Sequence, residues 1–141
     1  MKMDSVSVID DVRLEVAPHF WINLMPTSPS QKPPFYLSLE IKITNNSKKE
    51  ITDFSPLAIS VYYADSQKDF HDFLLVPVQG TQLKEKISTG ESRILRYTND
   101  RSEVFSTAIE KNTELYGRVL INMNEKQHVL TTLPTRVEFV Y

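Results

Sequence analysis

The chain has no cysteine and only three glycines among its 141 residues. Without cysteine there is no disulfide framework, no thiolate metal site and no Cys nucleophile, so any stable core must come from apolar burial. Gly80, Gly90 and Gly117 are too few and too scattered for the glycine-rich turns that cradle phosphates and dinucleotides. Long apolar runs are missing too. The longest, Phe73 to Val76, is far below the ~18 residues of a membrane span, and Met-Lys-Met-Asp-Ser-Val-Ser-Val at the start has no apolar signal core. The expectation is a cytoplasmic protein without membrane insertion.

Nor is there an excess of charge of either sign. The 16 basic and 18 acidic side chains are interspersed, for a net charge of −2, and no basic stripe could follow a phosphate backbone. Nucleic acid is therefore not an expected partner. Catalytic signatures are lacking as well: there is no Gly-x-Ser-x-Gly elbow, and His19, His71 and His128 lie far apart in sequence. The chain reads as a non-enzyme with no cofactor. A hydrolase on a β-scaffold would require a His, a Ser and a carboxylate converging only in space.

What is present is a period of two. From Phe35 to Thr44, Phe35, Leu37, Leu39, Ile41 and Ile43 alternate with Tyr36, Ser38, Glu40, Lys42 and Thr44, the pattern of a strand with one buried face. Those five side chains represent on the order of 10 kcal/mol of gross transfer energy, so a second layer must cover them. Similar alternation predicts strands at Val6–Val16, Phe20–Met25, Leu57–Ala64, Phe70–Val78, Glu91–Thr98, Leu115–Met123, Gln127–Thr132 and Arg136–Tyr141, with a weaker one at Gln82–Ile87. Pro18 and Pro56 are expected to interrupt strands, and Asn45-Asn46-Ser47 to turn the chain. Asp100 and Glu103 have the spacing of a helix capping box, and Val104, Phe105, Ala108 and Ile109 that of a helical apolar face. A short crossover helix is expected there.

Together these describe one domain over residues 1–141, an antiparallel β-sandwich of about eight strands with one short crossover helix and a Pro-rich loop at 26–34. A closed barrel is the alternative, against which the scarcity of corner-forming glycines counts. Ile41-Lys42-Ile43-Thr44-Asn45-Asn46-Ser47, then Ile51-Thr52-Asp53-Phe54 and Ser88-Thr89-Gly90-Glu91-Ser92, resemble the immunoglobulin-like and fibronectin-III-like sandwiches. Tyr116 looks like their corner tyrosine, and the Thr-Asp-Phe run is similar to the ear domains of clathrin adaptors. The resemblance implies that fold; the cysteine pair of antibody domains is absent.

Aromatic residues carry the functional expectation. Phe20-Trp21 and Tyr62-Tyr63 are neighbours in strand-like sequence, so one ring of each pair must face outward. Trp21 reads first as a core anchor, then as a partner hot spot or sugar platform; Tyr62 and Tyr36 read as outward rings. Pro26 and Pro29 have the spacing of a polyproline ligand. The expected function is a protein-binding module that holds another protein through a sheet edge, loops or the exposed groups Trp21, Tyr36, Tyr62, Pro26 and Pro29. A glycan-binding module stacking sugars on the aromatics is the alternative. A further one is a metal-stabilised structural subunit of a larger assembly, resting on Asp65, Asp69, His71 and Asp72, which lack the order of a calcium loop.

Overall fold

The Phe35–Thr44 pattern becomes β3 (Pro34–Asn45) in the computed structural model, which describes residues 5–24 and 32–140. All five apolar side chains of the pattern are buried to within 1% of complete enclosure. They face Val12, Leu14, Val16, Phe20 and Ile22 of β2 (Val12–Asn23), a strand in which every second residue is also buried. β1 (Ser5–Ile9) joins β2 through a two-residue turn at Asp10 and Asp11, both in the left-handed region at φ 49° and 65°.

Pro18 does not interrupt β2, contrary to expectation, and the register explains why. The amide of Leu37 donates to Asn99 Oδ1, on the side of β3 away from β2. By alternation Leu39 points the same way, and Pro18, its partner, turns its nitrogen away from β3. On that outer side the described part of β1 pairs as far as Val16, and β12 (Glu138–Val140) starts at Trp21. Among the described residues, no strand therefore asks for the missing N–H. Pro56 likewise lies within β4 (Ile51–Tyr63), beside a bulge in its pairing with β9 (Glu114–Met123).

The expected sandwich with a crossover helix is corrected on both counts. Every described element is a strand, and they form one nearly closed, barrel-like sheet, ordered β1-β2-β3-β7-β5-β4-β9-β10 and antiparallel along that path. The strand that prevents two separate layers is β5 (Asp69–Pro77). Its first part pairs with β4 and its last three residues with β7 (Ser92–Asn99). Across the remaining seam the end of the chain acts as a strap: β11 (Thr135–Arg136) pairs with β9, β12 pairs in parallel with β2, and Val137 between them is buried. Lower in the seam, Ser5 Oγ on β1 donates to the carbonyl of Thr131 on β10 (Lys126–Thr131) at 2.7 Å. Corners are thus made by shared strands and bulges, and a shortage of glycine is no obstacle.

At 104–112, where the helix was expected, Phe105–Ser106 is the short strand β8 on the start of β3. Asp100 accepts from the amide of Ser102, two residues on, in an Asx turn, so the capping geometry never starts. Phe105 instead packs its ring among Phe35, Phe70 and Phe73, while Val104 is left 68% exposed. The inferred apolar face is divided between core and solvent. β6 (Glu85–Ile87) is the weak strand expected near residue 85 and pairs with β4. The Asn45 turn forms as expected: the buried Asn45 amide donates to the carbonyls of Lys49 and Ile87, and its oxygen accepts from the Ser47 amide.

Candidate functional site

Strand parity sends Phe20 into the core and Trp21 onto the outer surface, and the β2–β3 register sets Trp21 directly opposite Tyr36. Their ring centroids are 5.7 Å apart at an interplanar angle of 34°. His19, two residues before Trp21 on the same face, stacks on it at 4.9 Å. Arg101 completes the group from the loop after β7: its guanidinium carbon lies 4.5 Å from the Tyr36 centroid and 5.6 Å from that of Trp21. The Asp100 turn presents Arg101. Ser102 donates to Asp100 Oδ1 through both its amide, at 2.9 Å, and its hydroxyl, at 2.7 Å, and these two bonds hold the Asp100 carboxyl below its usual range.

A polar rim borders the platform. His19 Nε2 is 3.0 Å from the Glu138 carboxylate, brought alongside by the parallel β12–β2 pairing. Arg96 and Glu40, cross-strand partners on β7 and β3, form an ion pair at 3.3 Å. His19, Ser38, Glu40, Arg96, Thr98 and Glu138 line a shallow groove of about 650 Å³ beside the rings. Aromatic surface, a planar cation and hydrogen-bonding groups of both signs therefore meet on one face. Ser38 and His19 are cross-strand partners in this groove, and the Nε2 of His19 is engaged by Glu138.

Of the residues expected to bind a partner, Trp21 and Tyr36 come together, and Trp21 is a half-buried outer ring in place of a core anchor. Tyr62 lies apart, on β4, stacked on Tyr116 at 5.3 Å with Arg118 5.4 Å from its centroid. Tyr116, the expected corner tyrosine, is thus an outer-face ring on β9. Pro26 and Pro29 lie outside the described residues. His19, Arg101 and Glu138 were not singled out: each comes from a different part of the chain and carries no local motif. Among the described residues, no three His, Asp or Glu side chains gather in a way that could hold a metal ion. His71 instead stacks on Phe105 at 4.0 Å. No described helix is long and apolar enough to cross a membrane.

One charged cluster is internal. The Glu85 carboxylate, 2% exposed, accepts from the Gln82 amide and pairs with Arg93, which also donates to the Lys86 carbonyl. Near them the Tyr97 hydroxyl is buried without a hydrogen-bond partner. Burial raises the Tyr97 pKa far above the usual phenol range; Glu85 raises it further and Arg93 opposes. The cluster fixes β6 against β7.

No protein-family model matches the chain, and no curated protein does. A solved structure described as the X-ray structure of Northeast Structural Genomics Consortium target SoR45 is similar over 91% of this chain and 86% of that one, at 14% identity and a TM-score of 0.47.

Proposed function

We propose that this protein is a non-catalytic binding module that engages another protein through the outer face of β2 and β3. The observation that supports this is the convergence of Trp21, Tyr36 and Arg101 on one surface. Trp, Tyr and Arg are the residue types that dominate protein-interface hot spots, because they combine large apolar area with few rotatable bonds or a planar set of donors. Glu40, Arg96, His19 and Glu138 supply the polar margin that such a centre needs to exclude water and fix orientation. The partner is expected to bring an apolar or aromatic side chain to the platform and hydrogen-bonding groups to the groove.

The sugar-stacking alternative is less well supported. A sugar needs a free ring face, and Trp21 has His19 on one flank and Arg101 near its ring, while Tyr36 lies beneath the same guanidinium. Affinity capture from the source cell tests the proposal when wild type is run beside Trp21→Ala and Arg101→Ala. A protein recovered in near-equal amount with wild type and lost with both variants supports it. Identical recovery with all three would refute it.

A further inference from the structure

The sheet begins at β1 and ends at β10, and among the described residues no strand pairs with the outer edge of either. The two edges meet at one end, where Ser5 Oγ reaches the Thr131 carbonyl. At the other end their turns, Asp10-Asp11 and Asn124-Glu125, line one cavity of about 790 Å³. Both strands belong to hairpins with two-residue turns, and the pair that closes such a turn exchanges both of its main-chain bonds. The closing pairs are Ile9–Val12 and Met123–Lys126. By alternation the N–H and C=O of Val6 and Val8 turn away from β2, and those of Gln127, Val129 and Thr131 away from β9, all towards the seam. The Thr131 carbonyl agrees with this parity, because it accepts from Ser5 across the seam. Exposed apolar side chains stand at the same positions: Val8 is 66% exposed, Val129 59% and Val6 49%. On the inner face His128, opposite the buried Ile121, has a buried Nε2 without a hydrogen-bond partner. β1, Ser-Val-Ser-Val-Ile, also has no lysine, proline or charge, the devices that keep free edges from pairing.

We infer that the seam between β1 and β10 takes up an extended segment of a partner protein, which adds as a strand antiparallel to β1. A free edge is satisfied by main-chain groups at strand spacing, so what it recognises first is an extended backbone. Strand addition runs within the sheet and is indifferent to the curvature of its faces. The segment enters from the cavity end and stops at the Ser5–Thr131 bond. Its outward side chains pack beside Val6, Val8 and Val129, which selects β-branched residues at alternate positions. Its inward side chains meet Ser7 and His128, where a hydroxyl gives the His128 Nε2 a donor. Proline is excluded wherever its nitrogen faces β1. The inference does not depend on the Trp21 platform, which lies farther along β2 than β1 pairs.

Peptides selected from a random library displayed on phage, with the full chain as target, are the probe. The selected sequences are expected to alternate Val, Ile or Thr and to carry no central proline. Binding should slow hydrogen exchange of the Val6 and Val8 amides about tenfold or more, read by NMR. Val8→Pro removes a seam-directed N–H and no bond to β2, and should weaken the same peptides about tenfold or more. Leu83→Ala, an exposed loop change, should bind them as wild type does. A selected peptide N-methylated on the amides that face β1 makes the same comparison without altering the protein, and should lose binding to the same extent. Three results would overturn the inference: a selection that yields no such peptides, binding that tolerates both Val8→Pro and N-methylation, or Val6 and Val8 amides already protected in the chain alone. Protection that grows with protein concentration would overturn it too, by assigning the edge to a second copy.

Discussion

Arg101 lies over Tyr36, its guanidinium carbon 4.5 Å from the ring centroid, although the two residues belong to elements far apart in the chain. The contact joins the loop after β7 to the outer face of β3 and gives the aromatic pair its charged edge. Exposed cation–π contacts contribute about 0.5–1 kcal/mol. Arg101→Ala is accordingly expected to lower stability by no more than that while altering the emission of Trp21, the sole tryptophan. Thermal unfolding alongside fluorescence checks it; a loss of several kcal/mol would show the arginine to be a structural element of the barrel.

Tyr97→Phe should stabilise the protein. The hydroxyl is buried without a partner, and removing it recovers a desolvation cost of about 1 kcal/mol or more. The pH dependence should change with it. Below about pH 10 both folded and unfolded chains keep the phenol proton, and stability does not respond. Above it the unfolded chain releases that proton while the folded chain, its pKa raised by burial, retains it, so stability falls as pH rises. Urea denaturation across this range should show the alkaline fall in wild type and a smaller one in Tyr97→Phe. Equal slopes would contradict the assignment.

The Glu85–Arg93 pair is expected to behave in the opposite sense. Glu85→Ala strips the Gln82 amide and a partly buried guanidinium of their acceptor, at a cost of about 2–3 kcal/mol. Removing the exposed Glu40 from its pair with Arg96 should cost less than about 1 kcal/mol. Chemical denaturation of the two variants side by side distinguishes them. Comparable losses would mean that burial is not what sets the difference.

Gly117 is needed for close approach, not for conformational freedom. A Cβ there would come within 2.5 Å of Ile59 Cδ1 and 2.8 Å of Ile59 Cγ1, in a buried stretch where the Gly117 amide also donates to Thr132 Oγ1 at 2.8 Å. Gly117→Ala should destabilise by about 1–3 kcal/mol through overpacking. Pairing it with Ile59→Val, which shortens the obstructing side chain, should return part of that loss; no recovery would locate the cost elsewhere.

How far the sequence could be read depended on how local each signal was. β3 was legible because five buried residues repeat at a period of two without interruption. Pro18 misled because its effect depends on which way its nitrogen points, and that follows from a partner strand's register. The helix at 104–112 misled because a four-residue apolar spacing fits both a short helix and an aromatic side chain dipping into a core, and the Phe35–Phe70–Phe73 cluster decided between them. Trp21 and Tyr36 could be placed outward by parity, but their adjacency required the β2–β3 register. Arg101 and the meeting of the β1 and β10 edges were not legible at all. Each is unremarkable alone, and only the assembled sheet shows what it lies beside.

The most direct measurement of the proposed function is photo-crosslinking in the source cell with a benzophenone amino acid placed at Glu103, an exposed position two residues from Arg101 that leaves the platform intact, and, as a control, at Leu83, an exposed loop position away from the platform. The account predicts one discrete crosslinked protein from position 103, absent at position 83 and absent when Trp21→Ala is added. No adduct at 103, or the same adduct from both positions, would contradict the assignment of this face as the binding surface.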